Sequence, residues 1–94
     1  MERKTLEKMK RRVRTLHRQL EKLGPIMRGS VVELGPNKQI RFSLNKNKKT
    51  QMIYLGKKRE AVARECSENY RTLRNIVEEM TEINMILIKN DYPV

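Results

Sequence analysis

Two clusters of cations in the segment SLNKNKKTQMIYLGKKRE, from Ser43 to Glu60, are spaced as phosphate contacts would be. The first cluster falls among asparagines, which tolerate the left-handed backbone angles of a tight turn. The second lies where a long helix is predicted to begin, and free N–H groups there favour an anion. Cations at such a position oppose the helix dipole unless an anion is bound between them. The expected phosphate contacts are Lys46, Lys48 and Lys49 in the first cluster and Lys57, Lys58 and Arg59 in the second.

The N-terminal segment adds a helix whose outward positions are almost all basic. Like charges four residues apart, such as Lys10 and Arg14, destabilise a helix, and a bound anion would relieve that repulsion. Acids of the C-terminal helix would offset three or four of these cations in an antiparallel pair, and the candidates are Glu65, Glu78, Glu79 and Glu82. The expected phosphate contacts on this helix are Lys8, Arg11, Arg12, Arg14 and Arg18.

The net charge of +11 is concentrated in the first two thirds of the chain. Residues 1–23 hold nine basic against three acidic residues, residues 24–58 hold eight against one, and residues 59–94 hold five against seven. A charge of this size indicates a polyanionic partner. Nucleic acid is the first expectation, and an anionic membrane surface or an acidic protein patch are the alternatives.

Among nucleic acids we expect duplex DNA first and structured RNA second. Aromatic residues make up 4% of the chain, too few for a platform that stacks single-stranded bases, whereas a two-stranded ribbon fits a major groove. Arg41 and Tyr54 are expected side by side on the outer sheet face, where they would add a stacking or groove contact. An ordinary cross-strand pair is the alternative.

Residues suited to catalysis or metal binding are scarce. His17 has no nucleophile or acid in register, and Cys66 lies on an apolar seam, where a small buried hydrophobe is the usual interpretation. One histidine and one cysteine cannot form a four-coordinate zinc site. We therefore expect a non-enzyme without metal or cofactor. The lone cysteine fits a reducing cytoplasm. We expect no signal peptide, because the N-terminal segment lacks an apolar run. No apolar run is long enough to span a membrane, so no membrane partner is expected.

The apolar spacing predicts two helices around a small sheet, within one domain covering residues 1–94. Residues 1–23 carry a seam of apolar side chains three or four positions apart that ends at Gly24-Pro25, which indicates a helix packed on another helix. Residues 58–89 repeat that rhythm over a longer helix, with Val62 and Cys66 in its stripe, and residues 90–94 form a tail. We expect an α+β fold, with two long antiparallel helices in a coiled-coil-like hairpin that flanks the sheet.

In residues 26–55 apolar side chains recur at every second position, which predicts two or three antiparallel strands. In the expected register Phe42 faces Ile53 on the core surface, and Arg41 faces Tyr54 on the other. Arg28–Leu34 is the least regular segment and is expected as a third, edge strand.

The stripe of the second helix is wider than one partner helix covers, so we expect a homo-oligomer. The alternative is that the sheet covers the surplus. The residues expected in the oligomer contact are Ile76, Met80, Ile83 and Leu87.

The runs LGPIMRGSV and FSLNKNKKTQMIYLGKKREAVARECSENYRTLRNIVEEMTEIN resemble an uncharacterised family of small basic bacterial proteins. The matching motifs are Gly29-Ser30, Lys48-Lys49-Thr50, and the helical run from Glu68-Asn69-Tyr70-Arg71 through Glu82-Ile83-Asn84. The resemblance implies a setting beside transposases in mobile elements, whereas the family's Cys-rich knuckle is replaced here by VVELGPNK. The expected function is a nucleic-acid-binding accessory or regulatory protein of a mobile element. The alternatives are an adaptor that binds a transposase or nuclease through the long helix, and a structured-RNA-binding protein.

Overall fold

In the computed structural model, which describes residues 1–94, the N-terminal helix α1 spans Arg3–Glu21. Its apolar seam faces inward as the spacing predicts, with Leu6 and Leu16 buried and the seam positions between them half-buried. The helix ends before Gly24-Pro25, because proline has no N–H with which to continue the ladder.

Four elements follow α1: β1 (Ser30–Leu34), β2 (Gln39–Lys46), β3 (Lys49–Tyr54) and α2 (Gly56–Lys89). The strands form one antiparallel sheet in the order β1-β2-β3. The fold is therefore α+β, as predicted, in the chain order helix, sheet, helix. The chain divides into two compact units, residues 24–71 and residues 1–23 together with 72–94, and α2 contributes to both. Neither helix contains a segment long and apolar enough to cross a membrane.

The strand register agrees with the one predicted from the sequence. Phe42 pairs with Ile53, and Arg41 with Tyr54. The third strand is also confirmed, since β1 pairs with β2 and places Val31 opposite Phe42. A slip of one residue would move every apolar side chain to the opposite face, so the alternating pattern restricts the register strongly.

The core of the 24–71 unit lies between the central strand and the first turns of α2. Phe42, Leu55 and Ala63 are buried together, and Val31 and Ile40 pack around them. Fully burying a side chain such as phenylalanine contributes roughly 1.5–3 kcal/mol. This packing holds the β2–β3 hairpin against the helix.

Two apolar residues expected in the core are exposed. Ile53 is 57% exposed and Val62 is 54% exposed. Ile53 lies on β3, an edge strand whose residues are all exposed, because the core is centred under β2. On α2 the sheet is met by Ala63, about 100° around the helix from Val62. The expectation that Ile53 packs in the sheet core was wrong for this reason.

Candidate nucleic-acid interface

The turn between β2 and β3 presents lysine where the backbone favours glycine. Its two central residues, Asn47 and Lys48, have φ values of 54° and 62°, which is the requirement of a type I′ hairpin turn. Asparagine suits this conformation, but a lysine with positive φ is uncommon. Beside the turn the Thr50 hydroxyl donates to Asn45 Oδ1 at 2.8 Å, which helps to hold this geometry.

The strand residues that flank the turn are also a pair that a β-sheet disfavours. Lys46 and Lys49 are direct partners in the antiparallel ladder, and like charges opposite each other destabilise a sheet. Both side chains and that of Lys48 are exposed, and none of the three forms an ion pair. Three unneutralised cations are therefore concentrated on one turn. Local rules are most often broken in this way at functional sites.

The tip of the hairpin extends beyond the rest of the sheet. Strand β1 pairs with β2 over residues 39–43 alone, so residues 44–46 and 49–51 continue as a two-stranded ribbon. Three residues at about 3.3 Å each give a ribbon of roughly 10 Å. A B-DNA major groove, about 12 Å wide and 8.5 Å deep, admits a ribbon of this kind.

Arg28 joins this basic tip, although its sequence position did not single it out. Its Nη1 donates to the backbone oxygen of Asn45 at 2.9 Å, on the edge of β2 beside the ribbon. The acceptor is neutral, so the guanidinium keeps its charge. The placement follows from the β1–β2 register, because pairing of Ser30 with Ser43 brings Arg28 level with Asn45. A prediction of that register would have found it.

The second cluster lies on the first turn of α2. Lys57, Lys58 and Arg59 are exposed, and the turn contains no acidic residue. The ring of Tyr54, 58% exposed, lies against Gly56 at the start of this helix. The cluster and the tyrosine thus share one end of α2.

Arg41 is less available than the sequence predicted. It is half-buried, and its Nη2 donates to Gln39 Oε1 at 2.7 Å on the same strand. Its backbone pairs with Tyr54 as expected, but its guanidinium already has a partner along β2. Arg41 is therefore the weakest candidate contact on the sheet.

On α1 the nominated cations separate into free and paired residues. Lys8, Arg11, Arg14 and Arg18 are exposed and form no ion pair. Arg12 forms a two-bond pair with Glu79, with Nε–Oε2 at 2.5 Å and Nη2–Oε1 at 3.0 Å. Glu79 offsets the charge of Arg12 and occupies two of its donors, so Arg12 is a weaker candidate contact than its unpaired neighbours.

Fewer α1 cations are offset by acids of α2 than the sequence predicted, since Arg12–Glu79 is the one ion pair between the two helices. Three of the four acids expected to do so, Glu65, Glu78 and Glu82, form no ion pair. The hydrogen bond from Arg12 lowers the pKa of the Glu79 carboxyl, lost hydration opposes that shift, and the charge of Arg12 adds to it. The same hydrogen bond and charge raise the pKa of Arg12. Because the pair is exposed on both sides, it leaves the basic character of α1 almost unchanged.

The residues predicted to form an oligomer contact are partly used inside one chain. Ile76 is 4% exposed and Leu87 is 0% exposed, so neither offers surface to a second copy. The reason is that the seam faces the interior of the 1–23 and 72–94 unit, and Met80 and Ile83 are half-buried with it. The exposed apolar residues of this part of α2 are instead Val77 at 45%, Met85 at 65% and Ile88 at 62%.

The scarce reactive residues have ordinary surroundings. His17 is exposed on α1, and Cys66 is a buried free cysteine. No group of three or more His, Cys, Asp or Glu side chains is arranged to hold a metal ion.

Comparison with protein-family models, with curated proteins and with solved structures finds no match to this chain. The function is therefore inferred from its own residues.

Proposed function

We propose that this protein binds duplex nucleic acid, DNA in preference to RNA, through the lysine-bearing tip of its β2–β3 hairpin. The main support for this proposal is the placement of three lysines on the β2–β3 turn. Lys48 occupies a backbone conformation that favours glycine, and Lys46 and Lys49 oppose each other across the ladder. Each arrangement costs stability in the free chain. Phosphate groups around the tip would neutralise the three charges and offset that cost.

The shape of the tip favours a duplex over a single strand. A two-stranded ribbon fits the major groove of B-DNA, whereas the major groove of A-form RNA is too deep and narrow for side chains to read. The one exposed aromatic side chain of the sheet is Tyr54, and a single ring cannot form a row of stacking partners. Lysines contact phosphates without reading bases, so we expect binding with little sequence preference.

The free cations of α1 would form a second contact surface. We infer that α1 and the C-terminal half of α2 pair as an antiparallel hairpin, since Arg12 bonds to Glu79 while the earlier residue Lys10 bonds to the later residue Pro93. Such a pair turns Lys8, Arg11, Arg14 and Arg18 away from the seam. The resemblance to proteins found beside transposases adds a mobile-element setting to this proposal.

The proposal is tested by titrating the full chain with a short DNA duplex, and with an RNA duplex of the same sequence, at several salt concentrations. Each neutralised phosphate releases counterions, so log affinity should fall with log salt by about 0.9 per contact on DNA. We expect a slope of at least about −3 for DNA, which corresponds to the three hairpin lysines. An absence of binding to either duplex at about 50 mM salt, where phosphate contacts are favoured, would overturn the proposal.

The competing function is a protein-interaction adaptor, and a specific surface favours it. Met85 and Ile88 are exposed, and a groove of about 440 Å³ on α2 is lined by Glu82, Met85, Ile86 and Lys89. Apolar side chains left open in this way are typical of protein contacts. If the chain binds no nucleic acid, we assign the function to this surface, with the positive charge meeting an acidic protein.

One substitution separates the two roles of Lys48. Lys48→Gly removes a cation and also suits the positive φ, so we expect stability to rise by about 0.5–1.5 kcal/mol. At the same time duplex affinity should fall roughly fivefold at 0.15 M salt, as expected for one lost contact. Chemical denaturation and a binding titration measure the two effects.

Lys48→Ala is the matched control, because it loses the same charge but keeps a β-carbon at positive φ. Its affinity should fall as much as that of Lys48→Gly, while its stability stays close to the parent value. Parent-like affinity in both variants would exclude Lys48 as a contact.

A further inference from the structure

A cavity of about 280 Å³ on α1 brings basic side chains together beside the C-terminal tail. Its lining residues are Glu7, Lys10, Arg11, Arg14 and Tyr92. Positions 7, 10, 11 and 14 follow one face of the helix, since residues three and four apart are neighbours there. Tyr92 comes from beyond the end of α2 and completes the lining.

The tail is placed by the way α2 ends. Asp91 adopts a φ of 55°, and the N–H groups of Asp91 and Tyr92 bond to the carbonyls of Ile88 and Leu87 at 3.0 and 2.9 Å. These two bonds define a Schellman cap, which reverses the chain at a helix end. After the reversal, Lys10 Nζ donates to the backbone oxygen of Pro93 at 2.8 Å. The wall of the cavity is thus held by backbone and side-chain hydrogen bonds.

The donors in this cavity are in excess of their protein partners. Arg11 and Arg14 form no ion pair, and the ammonium of Lys10 has two hydrogens left after its bond to Pro93. The one carboxylate in the lining, Glu7, is paired with Arg3 at 3.4 Å. Three cations against one acid leave a net charge of +2, which equals the charge of a phosphate dianion with opposite sign.

We propose that this cavity binds a phosphate dianion, either inorganic phosphate or the phosphomonoester at the end of a nucleotide. Arg11 and Arg14 donate to its oxygens, Lys10 supplies a further charge, and the Tyr92 hydroxyl donates one hydrogen bond. A phosphodiester carries one charge and two free oxygens, so it satisfies this donor set less well. The site is separate from the hairpin and does not rest on the proposed duplex binding.

The test is a titration of the ¹⁵N-labelled full chain, at constant ionic strength, with inorganic phosphate, a nucleoside 5′-monophosphate and the corresponding 3′,5′-cyclic monophosphate. We expect saturable shifts at the amides of Lys10, Arg11, Arg14 and Tyr92 with the first two ligands, and much weaker binding of the cyclic diester. Tighter binding of the 5′-monophosphate identifies a nucleotide end as the source of the phosphate, and tighter binding of inorganic phosphate identifies the free ion.

Two substitutions that each remove one positive charge, one inside the cavity and one outside it, locate the site. Arg14→Gln should weaken phosphate binding about tenfold or more, as expected for a lost charge-assisted hydrogen bond, and Tyr92→Phe should weaken it severalfold. Lys22→Gln removes the same charge at the end of α1, outside the cavity, and should leave the affinity within about twofold. Circular dichroism checks that each variant keeps its helices.

The proposal is overturned by shifts that do not saturate, by equal affinity for the monoester and the cyclic diester, or by equal effects of Arg14→Gln and Lys22→Gln. Replacing the hairpin lysines should leave phosphate binding intact, so the outcome is independent of duplex binding.

Discussion

Replacing Lys46, Lys48 and Lys49 together by alanine is expected to weaken duplex binding roughly a hundredfold at 0.15 M salt. Three lost phosphate contacts, at about 0.9 units each, should also flatten the log–log salt dependence by up to about three units. The loss should be similar on every sequence, because lysine contacts to phosphate carry no base readout. Fluorescence titration of two unrelated duplexes across a salt series measures both quantities.

The fold should survive this triple change, since the three side chains are exposed and Lys46 and Lys49 repel each other across the ladder. The matched control replaces Lys4, Lys22 and Lys38, which are also exposed and were not nominated as contacts. It lowers the net charge by the same amount away from the hairpin. If both triple variants lose affinity equally, the hairpin is not a specific contact surface and the effect is one of overall charge.

Gly29→Ala is expected to destabilise the protein by about 2–5 kcal/mol, the largest effect we expect from one small substitution. A β-carbon here would lie 2.5 Å from the backbone oxygen of Ser43 and 2.7 Å from the Phe42 ring, and the φ of 141° is one that L-residues rarely adopt. Overpacking costs about 1–3 kcal/mol and an unfavourable backbone region a similar amount. A chain of 94 residues has a total stability of roughly 5–14 kcal/mol. Thermal denaturation should show a fall in Tm of roughly 10–30 °C.

Gly35→Ala is the control that measures backbone strain without a steric clash. Gly35 also has a positive φ, of 77°, but nothing lies within 4 Å of an added β-carbon. It should cost about 1–2 kcal/mol, the strain of the left-handed region alone. If Gly29→Ala melts at the same temperature as Gly35→Ala, the close approach of Gly29 to β2 is not important for stability.

Gly29→Ala should also disturb the attachment of β1 to α2. The Gly29 carbonyl accepts a hydrogen bond from Ser67 Oγ at 2.8 Å, and the N–H of Met27 donates to the carbonyl of Cys66 at 3.1 Å. These two bonds fasten the start of β1 to α2. A displaced Gly29 should therefore loosen the sheet on which the hairpin is built.

The elements of this protein, and much of their pairing, could be predicted from the sequence. Heptad spacing in α1 and the alternation around Phe42 are local patterns, and each states which side chains must share a face. A register is then fixed by the requirement that apolar faces meet, so the pairs Phe42–Ile53 and Arg41–Tyr54 were predicted correctly. The turn that bears the three hairpin lysines was also predicted correctly, because turn chemistry is read from adjacent residues.

Only the tertiary structure decided which cations lack an internal ion pair and which apolar residues are left exposed. Arg12 and Arg11 are equivalent in the sequence, but Arg12 meets Glu79 and Arg11 lines the cavity with Tyr92. Ile53 alternates as a core residue does, yet it is exposed because its strand is at the edge and the helix packs under the central strand. Periodicity reports which face a side chain shares with its near neighbours. Whether that face meets another element depends on contacts between residues tens of positions apart, which no local spacing encodes.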